Sequence, residues 1–296
     1  MRGGRSREVK KYRLVIMIII AMGIILIGTS DPLTSLYKTT GLISKGINEN
    51  RNIEDDNTEN KGIKKNKTDK QNTEEKNSEG KNTEEENSKI LICIDPGHQA
   101  KGDPNLEQVA PGSSNKKARV SSGTVGVATK KPEYVLNLEA STVLKHILEG
   151  KGYSVIMTRE SHDVNISNSE RATFANNKNA NMVIRIHADS LDNSSKTGAS
   201  ILVPEDGGRY TASIYEESNK CAEDIKSKMK ESGIQINGIF QRGDLTGFTW
   251  SKVPVVLVEM GFMSNYNEDQ MMSNPDYQRK LMQSIADGVE EYFKTK

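Results

Sequence analysis

Residues 89–98, KILICIDPGH, decide how the rest of the chain is read. Ile90 to Ile94 form a short, continuous apolar run, as in a strand buried on both faces. Asp95-Pro96-Gly97 ends that strand, because proline has no donor for a β-ladder and glycine opens a turn. His98 is therefore delivered to the carboxyl edge of a central strand, where open α/β sheets place their ligands. A lone histidine there is more often structural than catalytic, so its meaning depends on what else reaches the same edge.

Upstream of this stretch the composition changes. Residues 48–88 are mostly Asn, Lys, Glu, Thr and Ser, and NTEE occurs at 72–75 and again at 82–85. Such a segment buries too little apolar surface to offset its ordering entropy, so 31–88 is expected to be a disordered polar linker. Before it, residues 14–28 are uninterruptedly apolar and follow a basic segment, 1–13, that holds six Lys or Arg against the single Glu8. The pattern predicts a transmembrane signal anchor over 14–30, with residues 1–13 cytoplasmic and all that follows outside; a cleaved, secreted form is the alternative. The 34% hydrophobic content of the 296 residues is low because of the linker, and 89–296 is long enough for one domain with a real core. A net charge of +1 gives no global field to recruit nucleic acid. Two cysteines, Cys93 and Cys221, make no disulfide framework.

Downstream, 99–131 is rich in Gly, Ser, Lys and Pro without clear periodicity, and is expected to be a long functional or mobile loop. Pro132-Glu133 then opens a helix that runs to Gly150. Strands are expected at 152–159, 181–187, 198–204 and 253–259, and helices at 169–179, 218–232 and 276–292. This alternation predicts a single α/β domain, with a mostly parallel central sheet flanked by helices on both faces.

Three of the expected strands end in a metal or acid–base residue: His98, His187 and Glu259. The helix after the loop begins with Glu133, which a βα connection returns to the same sheet edge. Two imidazoles and one carboxylate make a zinc site with one open position, the arrangement that catalysis requires. A further group must then accept and return a proton. Glu139 competes for the ligand role but lies about 9 Å further along the helix, at 1.5 Å per residue. His146 and His162 lack this context and read as non-functional. Arg185 faces the same side as His187, either to pair with an acid or to contact substrate carboxylates. Asn265 is a capping residue or a support for Glu259, and Gly261 is a turn or a close approach of backbone to the metal.

Asp95-Pro96-Gly97-His98, Glu133 with Asn137-Leu138, Arg185-Ile186-His187-Ala188 and the run from Val258 to Asn265 resemble the zinc-dependent N-acetylmuramoyl-L-alanine amidases of the Amidase_3 type. Arg159, Glu170-Arg171 and Ala175-Asn176 fit the same pattern, and the resemblance spans about 90–292. It implies one zinc ion held by His98, Glu133 and His187, and Glu259 as the catalytic carboxylate. It also implies a peptidoglycan substrate, cut between N-acetylmuramic acid and L-alanine. Two features depart from the family pattern: the stretch between His98 and Glu133 is longer than usual, and Asp189 stands where Asn is frequent. The rival expectations are a zinc peptidase acting on the stem peptide and a non-catalytic peptidoglycan-binding module of the same fold.

Overall fold

The computed structural model describes residues 90–296. The basic segment at 1–13, the expected anchor at 14–30 and the linker at 31–88 lie outside the described residues. Among the described residues no helix is long and apolar enough to cross a membrane.

Six strands form the central sheet: β1 (Leu91–Pro96), β4 (Ser154–Met157), β5 (Met182–Asp189), β6 (Ala199–Pro204), β7 (Ile236–Arg242) and β8 (Val255–Phe262). Their order is β4-β1-β5-β8-β6-β7. The first four are mutually parallel, β6 runs antiparallel to β8, and β7 is parallel to β6. Six helices complete the domain: α1 (Glu133–Gly150), α2 (Asn168–Asn177), α3 (Ala212–Glu231), α4 (Thr246–Thr249), α5 (Tyr266–Met272) and α6 (Pro275–Lys294).

Both faces of the sheet are covered, which is why its central strands read as apolar runs rather than alternating ones. Ile92, Ile94, Ile184, Ile186, Val256 and Val258 belong to the larger core, together with α1, α3 and α6. The intervening Cys93, Val183, Val255 and Leu257 pack with Ala175 of α2 and Phe248 of α4. Helices α3 and α6 pack tightly at Gly288, where a β-carbon would collide with the Ile225 backbone. Local chemistry sets the helix starts. Ser167 and Glu170 form a reciprocal capping box on α2, and Asn274 caps α6 ahead of Pro275.

The structure departs from the expectation: the short helices α4 and α5 were not expected, and β5 and β8 run past His187 and Glu259 to Asp189 and Phe262. Residues 99–131 are not one long loop; they contain a separate antiparallel hairpin, β2 (Asp103–Gln108) and β3 (Lys116–Val120). Its side chains are mostly exposed and polar, so no apolar alternation marks it in the sequence. Strand β7 was not expected either; it is an edge strand, only partly buried, with Gly238 in its middle. Helix α3 begins at Ala212 rather than at 218. Cys93 and Cys221 are buried free thiols.

Candidate active site

The parallel strands deliver their carboxyl ends to one edge. His187 of β5 and Glu259 of β8 are register partners across the ladder, so their side chains start from adjacent positions on one face. His98 follows β1 with φ +61°, a left-handed conformation that residues bearing a β-carbon seldom take. Glu133 is the first residue of α1 and is buried.

Glu133 Oε1 lies 3.1 Å from His98 Nε2 and 3.3 Å from His187 Nδ1. The two imidazole centroids are 4.8 Å apart and nearly perpendicular, at 78°. One ligand atom from each of the three residues lies within 4.8 Å of the others. Two further atoms are buried without a hydrogen-bond partner: His187 Nε2 and Glu259 Oε2. Two glycines make room. A β-carbon on Gly97 would collide with the His187 ring, and one on Gly123 would meet Glu133 Oε2 at 2.5 Å and His98 Cδ2 at 2.9 Å.

Surrounding groups hold these side chains in place. Glu133 Oε2 accepts from the Thr124 amide at 3.0 Å, and its Oε1 accepts from Asn137 Nδ2 at 3.1 Å and the Ala188 amide at 3.3 Å. Beneath the site, Arg159 donates to the carbonyls of Pro96, Gly97 and Tyr134. Arg171 donates to those of Pro96 and His98. The turn that presents His98 and the first turn of α1 are thereby tied together.

The electrostatics separate the two glutamates. Burial pushes the Glu133 carboxyl upward, but hydrogen bonds and charge from His187 and His98 outweigh it and hold the group well below the usual range. Burial, reinforced by the Glu133 and Asp189 carboxylates, raises Glu259 well above its ordinary value against the pull of Arg185 and Arg242. His187 is pushed down to about 4, chiefly by burial, against the pull of Glu133. A neutral imidazole is the form that ligates a metal. Two imidazole nitrogens and one ionised carboxylate, gathered around a buried nitrogen that lacks a partner, fit the donor set of a zinc site with an open position.

The other candidates lie elsewhere. Glu139 is paired with Lys131 at 2.5 Å near the surface. His146 is exposed beside Glu149, and His162 stacks edge-on against Tyr134 at 5.3 Å. Arg185 is buried against Asp95 at 2.8 Å, so pairing with an acid is the alternative that the structure favours. Asn265 caps α5 and donates to the Ser194 carbonyl at 2.8 Å. Gly261, at φ +155°, sits against Glu268 and Met272. Sequence reasoning missed Thr124 and Asp269, and placed Asn137 in the family motif without giving it a role. Asp269 holds the backbone amides of Ala128 and Thr129 at 2.7 and 2.8 Å. A signal existed only for Asn137, which stands one helical turn after Glu133 and so faces the same way.

Comparison with known proteins gives a consistent result. The family described as N-acetylmuramoyl-L-alanine amidase (Amidase_3) matches residues 92–291. N-acetylmuramoyl-L-alanine amidase Rv3717 of Mycobacterium tuberculosis is 25% identical over 214 residues, covering 70% of this chain and 87% of that one. The probable cell wall amidase LytH of Staphylococcus saprophyticus is 26% identical over 203 residues, 68% of this chain and 58% of the relative's length. Among solved structures, the amidase Ami1 of Mycobacterium smegmatis shares the fold with a TM-score of 0.65 at 23% identity, covering 71% of this chain and 99% of that one.

Proposed function

The chain belongs to the N-acetylmuramoyl-L-alanine amidase family, and from that premise we propose that it hydrolyses the amide between N-acetylmuramic acid and L-alanine in peptidoglycan, with His98, Glu133 and His187 holding zinc and Glu259 moving the proton. The observation that carries this reading is the convergence of three ligand atoms within 4.8 Å, with Glu259 in register beside His187. When bound there, zinc supplies a water acidified to a pKa of about 7 and polarises the scissile carbonyl. Glu259 accepts a proton at its unpartnered Oε2 and delivers it to the departing alanine nitrogen, because an amide leaves poorly as an anion. Glu133, kept ionised, neutralises charge on the ion, while Asn137 and the Thr124 amide fix its orientation.

Mass spectrometry of peptidoglycan digested by the purified protein tests the bond that is cut. Free N-terminal alanine with intact glycan is expected, whereas cleavage inside the stem peptide would favour the zinc peptidase and no cleavage the binding module. Chelation should abolish hydrolysis, and added zinc should restore it. We also infer that residues 14–30 anchor the chain in a membrane and that 31–88 tether the catalytic domain on the cell-wall side. Protease treatment of intact cells should then release the domain while a short membrane-embedded fragment remains.

A further inference from the structure

We propose that the β2–β3 hairpin positions the metal ligands, and that Ser121, at its foot, is the positioning residue for His98. The inference rests on the reading of His98 as a metal ligand. His98 Nδ1 lies 2.9 Å from Ser121 Oγ and 3.1 Å from the Ser121 carbonyl oxygen. A ring proton on Nδ1 can be accepted by both oxygens, and Nε2, the atom 3.1 Å from Glu133, then keeps its lone pair for the ion. The same short segment reaches Glu133. Gly123 packs against both ligands, and the Thr124 amide donates to Glu133 Oε2 at 3.0 Å. One stretch of backbone thus touches two ligands that arrive from different elements.

Two features explain why such a clamp is needed. His98 has φ +61°, which persists only where the surroundings hold it. Arg171 holds its carbonyl at 2.9 Å, and Ser121 holds the Nδ1 side of its ring. The hairpin contributes no residue to either apolar core cluster, and besides the buried Ala110 and Val120 polar contacts hold it to the domain. Trp250 Nε1 donates to the Gln108 carbonyl at 3.0 Å, Asn168 Nδ2 donates to the Arg119 carbonyl at 2.8 Å, and Ser169 Oγ donates to Glu107 at 2.5 Å. Docking of the hairpin on α2 and the end of α4 therefore sets the position of Ser121.

The test measures zinc affinity of the folded protein by chelator competition, together with long-range proton–nitrogen NMR of the metal-free protein to locate the His98 ring proton. Ser121→Ala and Ser121→Gly should weaken zinc binding about tenfold or more, as loss of a group supporting a ligand does. Both should also shift the His98 proton away from exclusive residence on Nδ1. Ser121→Thr, which keeps the hydroxyl, should restore both readings. Trp250→Phe, remote from the ion, should weaken zinc binding in the same direction by undocking the hairpin. Wild-type affinity with an unmoved ring proton in both Ser121→Ala and Ser121→Gly would overturn the hairpin's role and leave the metal site standing. A wild-type protein that binds no zinc would bring down both.

Discussion

Asp95 and Glu259 are two carboxylates on the strands that flank β5, and they meet opposite fates. Asp95 pairs in register with Arg185, and Glu259 pairs two positions further along with His187. Burial pushes both groups upward. At Asp95, Arg171 and Arg185 each donate at 2.8 Å and Thr158 donates as well, so the carboxyl is held well below its usual range. At Glu259 the Glu133 and Asp189 carboxylates add to the effect of burial against the pull of Arg185 and Arg242, and Oε2 has no partner. A buried charge with both oxygens engaged acts as a brace, because moving it breaks several bonds at once. One left short of partners keeps the capacity to take up a proton, which is a chemical use rather than a structural one.

The sharpest way to break this contrast is Glu259→Gln. Hydrolysis should fall by about 10²–10⁴-fold while zinc content and folding stay unchanged; steady-state rates beside metal analysis decide it, and a variant of normal activity would remove Glu259 from the chemistry. The matching change at the brace, Asp95→Ala, should act on stability. It leaves two buried guanidiniums short of their acid, so about 3–5 kcal/mol should be lost, read as a shift in the urea midpoint.

The pH dependence of the metal-free protein sharpens the comparison further. Asp95 has a depressed native pKa, so its contribution is complete above about 3.9, its ordinary value, and is lost as pH falls toward the native one. Glu259 has a raised native pKa and takes up a proton on folding. Its contribution is therefore complete below about 4.3 and declines as pH climbs toward the native value. Urea midpoints across the acid-to-neutral range should lose their acid-side slope in Asp95→Asn and their upper slope in Glu259→Gln. The smallest effect is expected at the partly exposed Lys131–Glu139 pair: Glu139→Ala should cost no more than about 1 kcal/mol and leave hydrolysis unchanged.

Much of the fold was legible because the strands that build it are covered on both faces and leave apolar runs in the sequence. Helix α1 was legible from its periodicity and from Pro132-Glu133, and α6 from its amphipathic pattern. The hairpin and β7 were not, because their exposed residues show no regular alternation. Arg185 shows the other limit. Strand alternation placed it on the face of His187, but whether it met a substrate or an acid depended on Asp95, ninety positions away in the chain.

The sequence by itself determined the layered α/β architecture and which chemical groups lie toward the carboxyl ends of its strands, since burial periodicity and turn chemistry are local properties of the chain. Only the tertiary structure decided that His98, Glu133 and His187 face one another, that Glu259 Oε2 lacks a partner where the Asp95 carboxylate has three, and that a polar hairpin reaches back to hold His98. Each of these depends on contacts between distant segments, and the free energy of a buried charge is set by the neighbours that folding brings to it.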